Sequence, residues 1–227
     1  RLHECRLRAR VLRGPLSRLT GLRRRFPDST AAPAGTPPTV VFAGRHIPEK
    51  RVPALVDAVA VARRELPDLC LAVYGDGPDR PEVLRRIAAL GLDGVAEAPG
   101  FVDADVVDRA LREAACMALP SAREGYGLVV VESAARGTPS VVVQGEDNAA
   151  VELVDDGVSG VVAPSAAAED LGAALVRVVR GGDALRRSTA DWYARHARSL
   201  SLEDSLDRVA AAYAAGGAAG ARPITRA

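Results

Sequence analysis

The stretch TVVFAGRHIPEKRVPALVDAVAVARRELPDLCLAVYGDG, residues 39–77, decides the fold class. It opens with an apolar run from Thr39 to Ala43, rich in β-branched residues and stopped by Gly44. A short unbroken run of this kind predicts a strand buried on both faces. Across 50–65, Val52, Leu55, Val56 and Val59 recur at helical spacing among charged residues, which predicts a helix with one apolar face. A second apolar run over 69–74 ends at Gly75. Strand, helix and strand in that order make a βαβ unit, with parallel strands and a right-handed crossover.

Outward from this unit the alternation continues. Residues 79–90 read as a helix, and 95–98 as a weak strand closed by Pro99-Gly100. A helix over 103–114 precedes a strand over 116–119, which ends before Pro120. Residues 127–136 are helical, 140–143 a strand, 149–155 a helix ended by Gly157, and 158–163 the last strand. Helical patterns then cover 167–180, 183–198 and 201–214. The fold class expected is α/β, a doubly wound, Rossmann-like parallel sheet with helices on both faces. Ligands of such sheets bind beyond the carboxyl ends of the strands, so the loops after the strands carry the chemistry.

Composition narrows the function classes. The chain has 227 residues, 30 basic against 29 acidic side chains, 48% hydrophobic residues and 4% aromatics. This excludes a polybasic nucleic-acid binder and a strongly acidic disordered chain. No apolar run approaches the ~18 residues of a membrane span. Cys5, Cys70 and Cys116 are odd in number and form no CxxC pair, which indicates neither a disulfide framework nor a zinc site. A reducing, cytoplasmic location is expected, free or peripheral to a membrane. Residues 1–36 hold nine arginines against Glu4 and Asp28, and pass into a Pro/Ala/Gly/Thr stretch around 31–38. Three segments are therefore expected: a basic segment and linker over 1–38, one folded domain over 39–214, and a mobile Ala/Gly-rich tail over 215–227. A solvated helical face is the plainer account of the arginines, since no aromatic interleaving supports a nucleic-acid arm.

Two loops stand out. After the first strand, Gly44-Arg45-His46-Ile47-Pro48-Glu49-Lys50 places two cations before a helix, where a helix N-terminus already favours an anion. Lys50 is the only lysine among the 30 basic residues, in a chain that elsewhere uses arginine. That fits a diphosphate contact needing a compact ammonium, and it fits an ordinary surface lysine equally well. After the fourth strand, Glu124-Gly125-Tyr126-Gly127-Leu128 leads into a helix carrying Glu132. The glycines leave room for a ligand, and the Leu128 and Val129 N–H groups stand at the helix start, ready for a phosphate. The two carboxylates could accept from sugar or ribose hydroxyls. On the residues alone, Glu124 as a helix cap and Glu132 as an exposed helical residue is the plainer reading. Gly75-Asp76-Gly77-Pro78 is half of a dinucleotide fingerprint, lacks its third glycine and comes after the wrong strand, so it reads as a tight turn.

Taken together, these segments resemble the nucleotide-binding half of a GT-B glycosyltransferase, of the large retaining family 4 (glycosyl transferases group 1). GRHIPEKR is similar to that family's G-R-x-x-x-E-K-G stretch, and PSAREGYGLVVVESAARGTPSVV to its E-x7-E signature and the residues C-terminal to it. GEDNAAVELVDDGVSGVVAP resembles the succeeding helix and strand, and the likeness runs from about Val40 to Tyr213. The resemblance implies a glycosyltransferase using a nucleoside-diphosphate sugar as substrate, with no cofactor and no metal, and with retention of configuration. It implies catalytic roles for Arg45 and Lys50 on the donor phosphates and for Glu124 on the transferred sugar. It assigns Gly44, Gly125, Tyr126, Gly127, Leu128, Val129 and Glu132 to donor binding, Glu132 on the ribose hydroxyls. Arg51 stands where the family has glycine, which is harmless if the side chain points away along the helix. Asp103-Ala104-Asp105 mimics a metal-binding DxD motif and reads as a helix N-cap. The family's acceptor-binding domain lies upstream, and 1–36 is too short to be one, so an upstream partner domain is expected and the acceptor is open. The rival readings are a non-catalytic nucleotide-sugar-binding module, a phosphorylase or epimerase on the same fold, and an NAD-dependent enzyme, whose glycine fingerprint the first loop lacks.

Overall fold

A computed structural model describes residues 35–200 together with 204, 206, 210 and 211. Residues 1–34 of the basic segment and linker expected over 1–38, the tail over 215–227 and most of the helical pattern over 201–214 lie outside the described residues. The chain divides into two compact units, Arg1–Tyr193 and Ala194–Ala227. In the second, the Leu200 N–H (3.1 Å) and the Ser199 hydroxyl (2.9 Å) both donate to the His196 carbonyl. The sheet and every expected site residue belong to the first.

Six strands form one sheet: β1 (Thr39–Ala43), β2 (Cys70–Tyr74), β3 (Ala96–Gly100), β4 (Cys116–Leu119), β5 (Ser140–Val143) and β6 (Gly160–Ala163). Their order is β3-β2-β1-β4-β5-β6, and every pairing is parallel. The expected doubly wound α/β class is the one observed. The helices are α1 (Val52–Ala62), α2 (Arg80–Ala89), α3 (Ala104–Glu113), α4 (Leu128–Ala134) and α5 (Ala168–His196). Strands β1, β2, β4 and β5 are the continuous apolar runs of the sequence, and Val40, Phe42, Ala72, Val73, Cys116, Met117, Val141 and Val142 are fully buried in them. The chain winds outward from β1 to β3, then returns to place β4 on the other flank of β1, in register Val40↔Cys116 and Val41↔Met117. That reversal opens a crevice at the carboxyl ends of β1 and β4, where neighbouring loops diverge.

Departures from the sequence reading have local causes. β3 runs on through Pro99 to Gly100, which a strand tolerates because β3 is an edge and Pro99 needs no ladder donor there. The helix expected over 149–155 is a 3-10 turn, Ala149–Leu153, its N-terminus capped by the Asn148 side chain accepting from the Ala150 N–H. The patterns over 167–180 and 183–198 are two helices, as expected, and α5 runs across both with a break where Gly182 takes φ 47° and ψ −140°. Asp103 is the N-cap residue of α3, with extended backbone, and its side chain makes no capping bond. Cys116 is a free, buried thiol whose pKa burial pushes up to about 12.

Arg51 corrects one expectation. It does not extend α1 but is its N-cap, in the left-handed region at φ 50° and ψ 35°, alone among described non-glycine residues in having positive φ. This conformation costs an L-residue with a Cβ roughly 1–2 kcal/mol. The resembled glycine is therefore a backbone requirement of the turn from Pro48–Lys50 into α1.

His46 is fully buried, its ring edge-to-face on Phe42 at 5.8 Å between centroids. Neither ring nitrogen has a hydrogen-bond partner among the described residues. Burial holds the imidazole below its ordinary 6.5, outweighing the Asp76 carboxylate, the Tyr74 carbonyl, which favours the charged ring without making a bond of good geometry, and the Asp79 carboxylate.

These residues lead to two stability outcomes. Arg51→Gly raises stability by about 1 kcal/mol, or roughly 2–4 °C in Tm, while Arg51→Ala keeps the strain and gains nothing; thermal unfolding of the three proteins distinguishes them. The unfolded chain protonates His46 more readily than the folded one, so the folded state loses stability as pH falls below 6.5 and keeps its full share above it. His46→Leu removes that part of the acid-side loss, read as a smaller drop in urea midpoint between neutral and mildly acid buffer.

Candidate functional site

The loops that leave the carboxyl ends of β1, β2 and β3 are laced together by backbone. The Gly44 N–H donates to the Tyr74 carbonyl (3.1 Å) and the Gly75 N–H to the Gly100 carbonyl (2.9 Å). His46 N–H donates to Asp76 C=O, and Asp79 N–H to His46 C=O, both at 2.9 Å. A Cβ at Gly75 would collide with the Gly44 carbonyl oxygen, and one at Gly77 with that of His46. The turn expected at Gly75-Asp76-Gly77 thus fixes the path of the β1 loop by close backbone approach.

That path delivers Lys50 to β4. The 3-10 turn Pro48–Lys50 ends the β1 loop, and the Glu49 carbonyl accepts the Ala122 N–H at 2.7 Å, tying the two loops across the crevice. Lys50 Nζ forms an ion pair with Glu124 Oε2. The same oxygen accepts from the Ser121 hydroxyl at 3.4 Å. The Lys50 and Glu124 side chains are only 17% and 15% exposed, so solvent screens their attraction weakly. Beside the pair opens a cavity of about 460 Å³, walled by Ala43, Lys50, Leu119, Glu124 and residues 125–129.

Of the residues singled out from sequence, Lys50, Glu124, Gly125, Tyr126, Gly127, Leu128 and Val129 come together around this cavity. Gly44 and Arg45 sit just outside its wall, at the start of the β1 loop, with Arg45 exposed to solvent. Glu132 also lies outside the wall, one turn into α4 and exposed, and its carbonyl accepts from the Arg136 guanidinium. Glu124 does not cap α4: the N-cap is Gly127, left-handed at φ 87°, and it packs so close to Ala150 that a Cβ would meet that side chain at 2.9 Å. Tyr126 and Leu128 are 41% and 67% exposed at the mouth.

Sequence reasoning passed over two residues that hold Glu124. Ser121 is buried and reaches its carboxylate. Asn148, also buried, donates to the Ser121 (3.2 Å) and Val143 (2.7 Å) carbonyls and so joins the β4 and β5 loops. Its signal was present: an asparagine directly before a helical run is an N-cap signature. On the far side of Glu124, residues 144–149, Val151 and Glu152 wall a second cavity of about 340 Å³. Asp103 and Asp105 are exposed at the start of α3, and no group of three His, Cys, Asp or Glu among the described residues is placed to hold a metal ion. No described helix is long and apolar enough to cross a membrane.

A cation and a carboxylate on the floor of an open, glycine-rich cavity can hold a ligand that is anionic at one point and hydroxyl-bearing at the next. Known proteins match most of this chain. The chain is 32% identical over 189 residues to a D-inositol 3-phosphate glycosyltransferase of Jonesia denitrificans, covering 80% of this chain and 43% of that protein. It is 27% identical over 176 residues to an alpha-D-kanosaminyltransferase of Streptomyces kanamyceticus, covering 78% of this chain and 45% of that protein. The chain therefore spans less than half the length of these relatives. Its fold is similar to that of Anabaena HepE, solved in complex with UDP-glucose, with a TM-score of 0.67 at 22% identity over 78% of this chain and 48% of that one. Residues 37–180, the whole sheet and both site loops, match the model of the glycosyl transferases group 1. The chain belongs to that glycosyltransferase family.

Proposed function

We propose that this chain forms the donor half of a retaining GT-B glycosyltransferase of family 4, binding a nucleoside-diphosphate sugar across the carboxyl edge of β1 and β4. The observation that carries the reading is the Lys50–Glu124 ion pair on the cavity floor, contributed by two loops that meet at the reversal of strand order. Lys50 exchanges its carboxylate partner for a donor phosphate, joined by Arg45 from the exposed start of the same loop. With the Leu128 and Val129 N–H groups, these cations stabilise the charge that grows on the diphosphate as it leaves, without a metal. Glu124, released toward the cavity, accepts from hydroxyls of the sugar and orients it. Glu132, one turn further along α4, takes the ribose hydroxyls. The acceptor attacks from the face the diphosphate leaves, so configuration is retained.

The relatives' greater length supports an acceptor-binding domain outside this chain, which this reading places upstream; the same reading has a cytoplasmic enzyme, free or peripheral to the membrane. A non-catalytic nucleotide-sugar-binding module would keep the same residues; sugar transfer measured with and without the acceptor-binding part separates the two.

Calorimetric titration with UDP, GDP, ADP and dTDP tests the placement. At least one nucleotide binds the wild-type chain. Lys50→Ala weakens it about tenfold or more, the loss of a charge-assisted contact, and Glu132→Ala weakens it by several-fold. Glu124→Gln leaves its affinity unchanged or raises it, since a negative charge beside the phosphate position is gone. Unchanged affinity in both the Lys50 and Glu132 variants rules the placement out.

A further inference from the structure

We infer that Asn148 is the positioning residue of the sugar-binding carboxylate: it fixes Glu124 beside Lys50 from the neighbouring loop, and it acts on the donor only through Glu124. The inference rests on the donor-site reading above. Glu124 lies in a loop without regular structure, next to Gly125, around whose Cβ position there is open space. Nothing within its own loop fixes its backbone.

The β5 loop supplies what is missing. The Glu124 N–H donates to the Asp147 carbonyl, and the Glu124 carbonyl accepts the Ala149 N–H, both at 2.9 Å. These two bonds flank Asn148 and make a one-residue parallel bridge of Glu124 to Asn148. Asn148 itself is 3% exposed, and every functional atom of its side chain is used. The amide nitrogen donates to Val143 C=O at 2.7 Å, at the end of β5, and to Ser121 C=O at 3.2 Å, three residues before Glu124. The amide oxygen accepts the Ala150 N–H at 3.3 Å. One side chain therefore sets the distance between the end of β5 and the loop that carries the carboxylate. Glu124 borders both cavities, so a small displacement of its backbone carries the carboxylate away from Lys50 toward the second one. A leucine or alanine at 148 supplies no donor for either carbonyl.

Asn148→Ala, titrated with UDP and with UDP-glucose, reads this role. The variant binds UDP within about twofold of wild type or slightly tighter, because the nucleotide contacts lie elsewhere. It binds UDP-glucose about tenfold more weakly, the worth of a lost charge-assisted hydrogen bond. In a Glu124→Ala background the same substitution costs less than about twofold, as required of a residue acting through Glu124. Thr138→Val removes another buried side-chain bond, that of Thr138 Oγ1 to the Leu111 carbonyl at 2.6 Å, away from both cavities, and serves as the stability control. It leaves the ratio of UDP-glucose to UDP affinity unchanged. Equal losses for UDP and UDP-glucose, an undiminished loss in the Glu124→Ala background, no loss at all, or the same ratio change in Thr138→Val each overturn the assignment. If the wild-type chain ignores UDP and binds GDP, ADP or dTDP, the glucose ester of that nucleotide is the probe. Binding of none of the four overturns the donor-site reading itself.

Discussion

Lys50 and Glu124 are 74 residues apart in sequence and form an ion pair because β1 and β4 lie side by side, parallel and in register. The chain lays down β2 and β3 outward from β1 before it returns to the other flank, so the loops after β1 and β4 leave the sheet edge together with nothing between them. Parallel strands place all their carboxyl ends on one edge, and burial on both faces leaves that edge as the place where polar side chains can gather. The rest of the site depends on this meeting. The Gly127 turn brings backbone amides to the same cavity, and the Glu49–Ala122 backbone bond holds the two loops at the distance the ion pair needs. A mostly shielded pair is also a poised one. Each partner is costly to leave uncompensated, so a ligand that displaces the contact must supply a negative group for Lys50 and donors for Glu124.

The β1 loop carries this pair at a local cost. Arg51 takes a left-handed conformation that suits glycine, and His46 buries an imidazole with no hydrogen-bond partner among the described residues. Both flank the segment that ends in Lys50. Gly75 and Gly77 press their backbones against Gly44 and His46, so the strained segment cannot relax outward. Strain of this kind persists where the surroundings over-determine the backbone. Here the β2 loop does so, itself tied to the end of β3 by the bond from the Gly75 N–H to the Gly100 carbonyl.

Much of the fold was legible because the strands are continuous apolar runs. Thr39–Ala43, Cys116–Leu119 and Ser140–Val143 are set by burial on both faces and by the Gly or Pro that stops two of them. The cavity wall at 124–129 was legible too, since its glycines and charged residues form a pattern spanning several motifs. Backbone conformation was less so. Nothing in the composition around Arg51 reports a positive φ, and only the likeness to a glycine position hinted at it. The 3-10 turn after Asn148 has the same apolar spacing as an α-helix over five residues, too few to separate the periods. Asn148 escaped for a different reason. Its partners are carbonyl oxygens, which every residue owns, so neither Ser121 nor Val143 marks the contact in sequence. Glu124 was read on its residues as a cap, and its real partner lay beyond any local window.

The central claim is that a nucleoside diphosphate sits where the β1 and β4 loops meet. Amide hydrogen exchange measured by mass spectrometry, with and without a saturating nucleoside diphosphate that binds, tests it without any substitution. Slowed exchange confined to peptides covering 44–50 and 124–132, with the helix over 168–196 unchanged, is the result expected. Protection that spares both loops and appears elsewhere in the chain contradicts it.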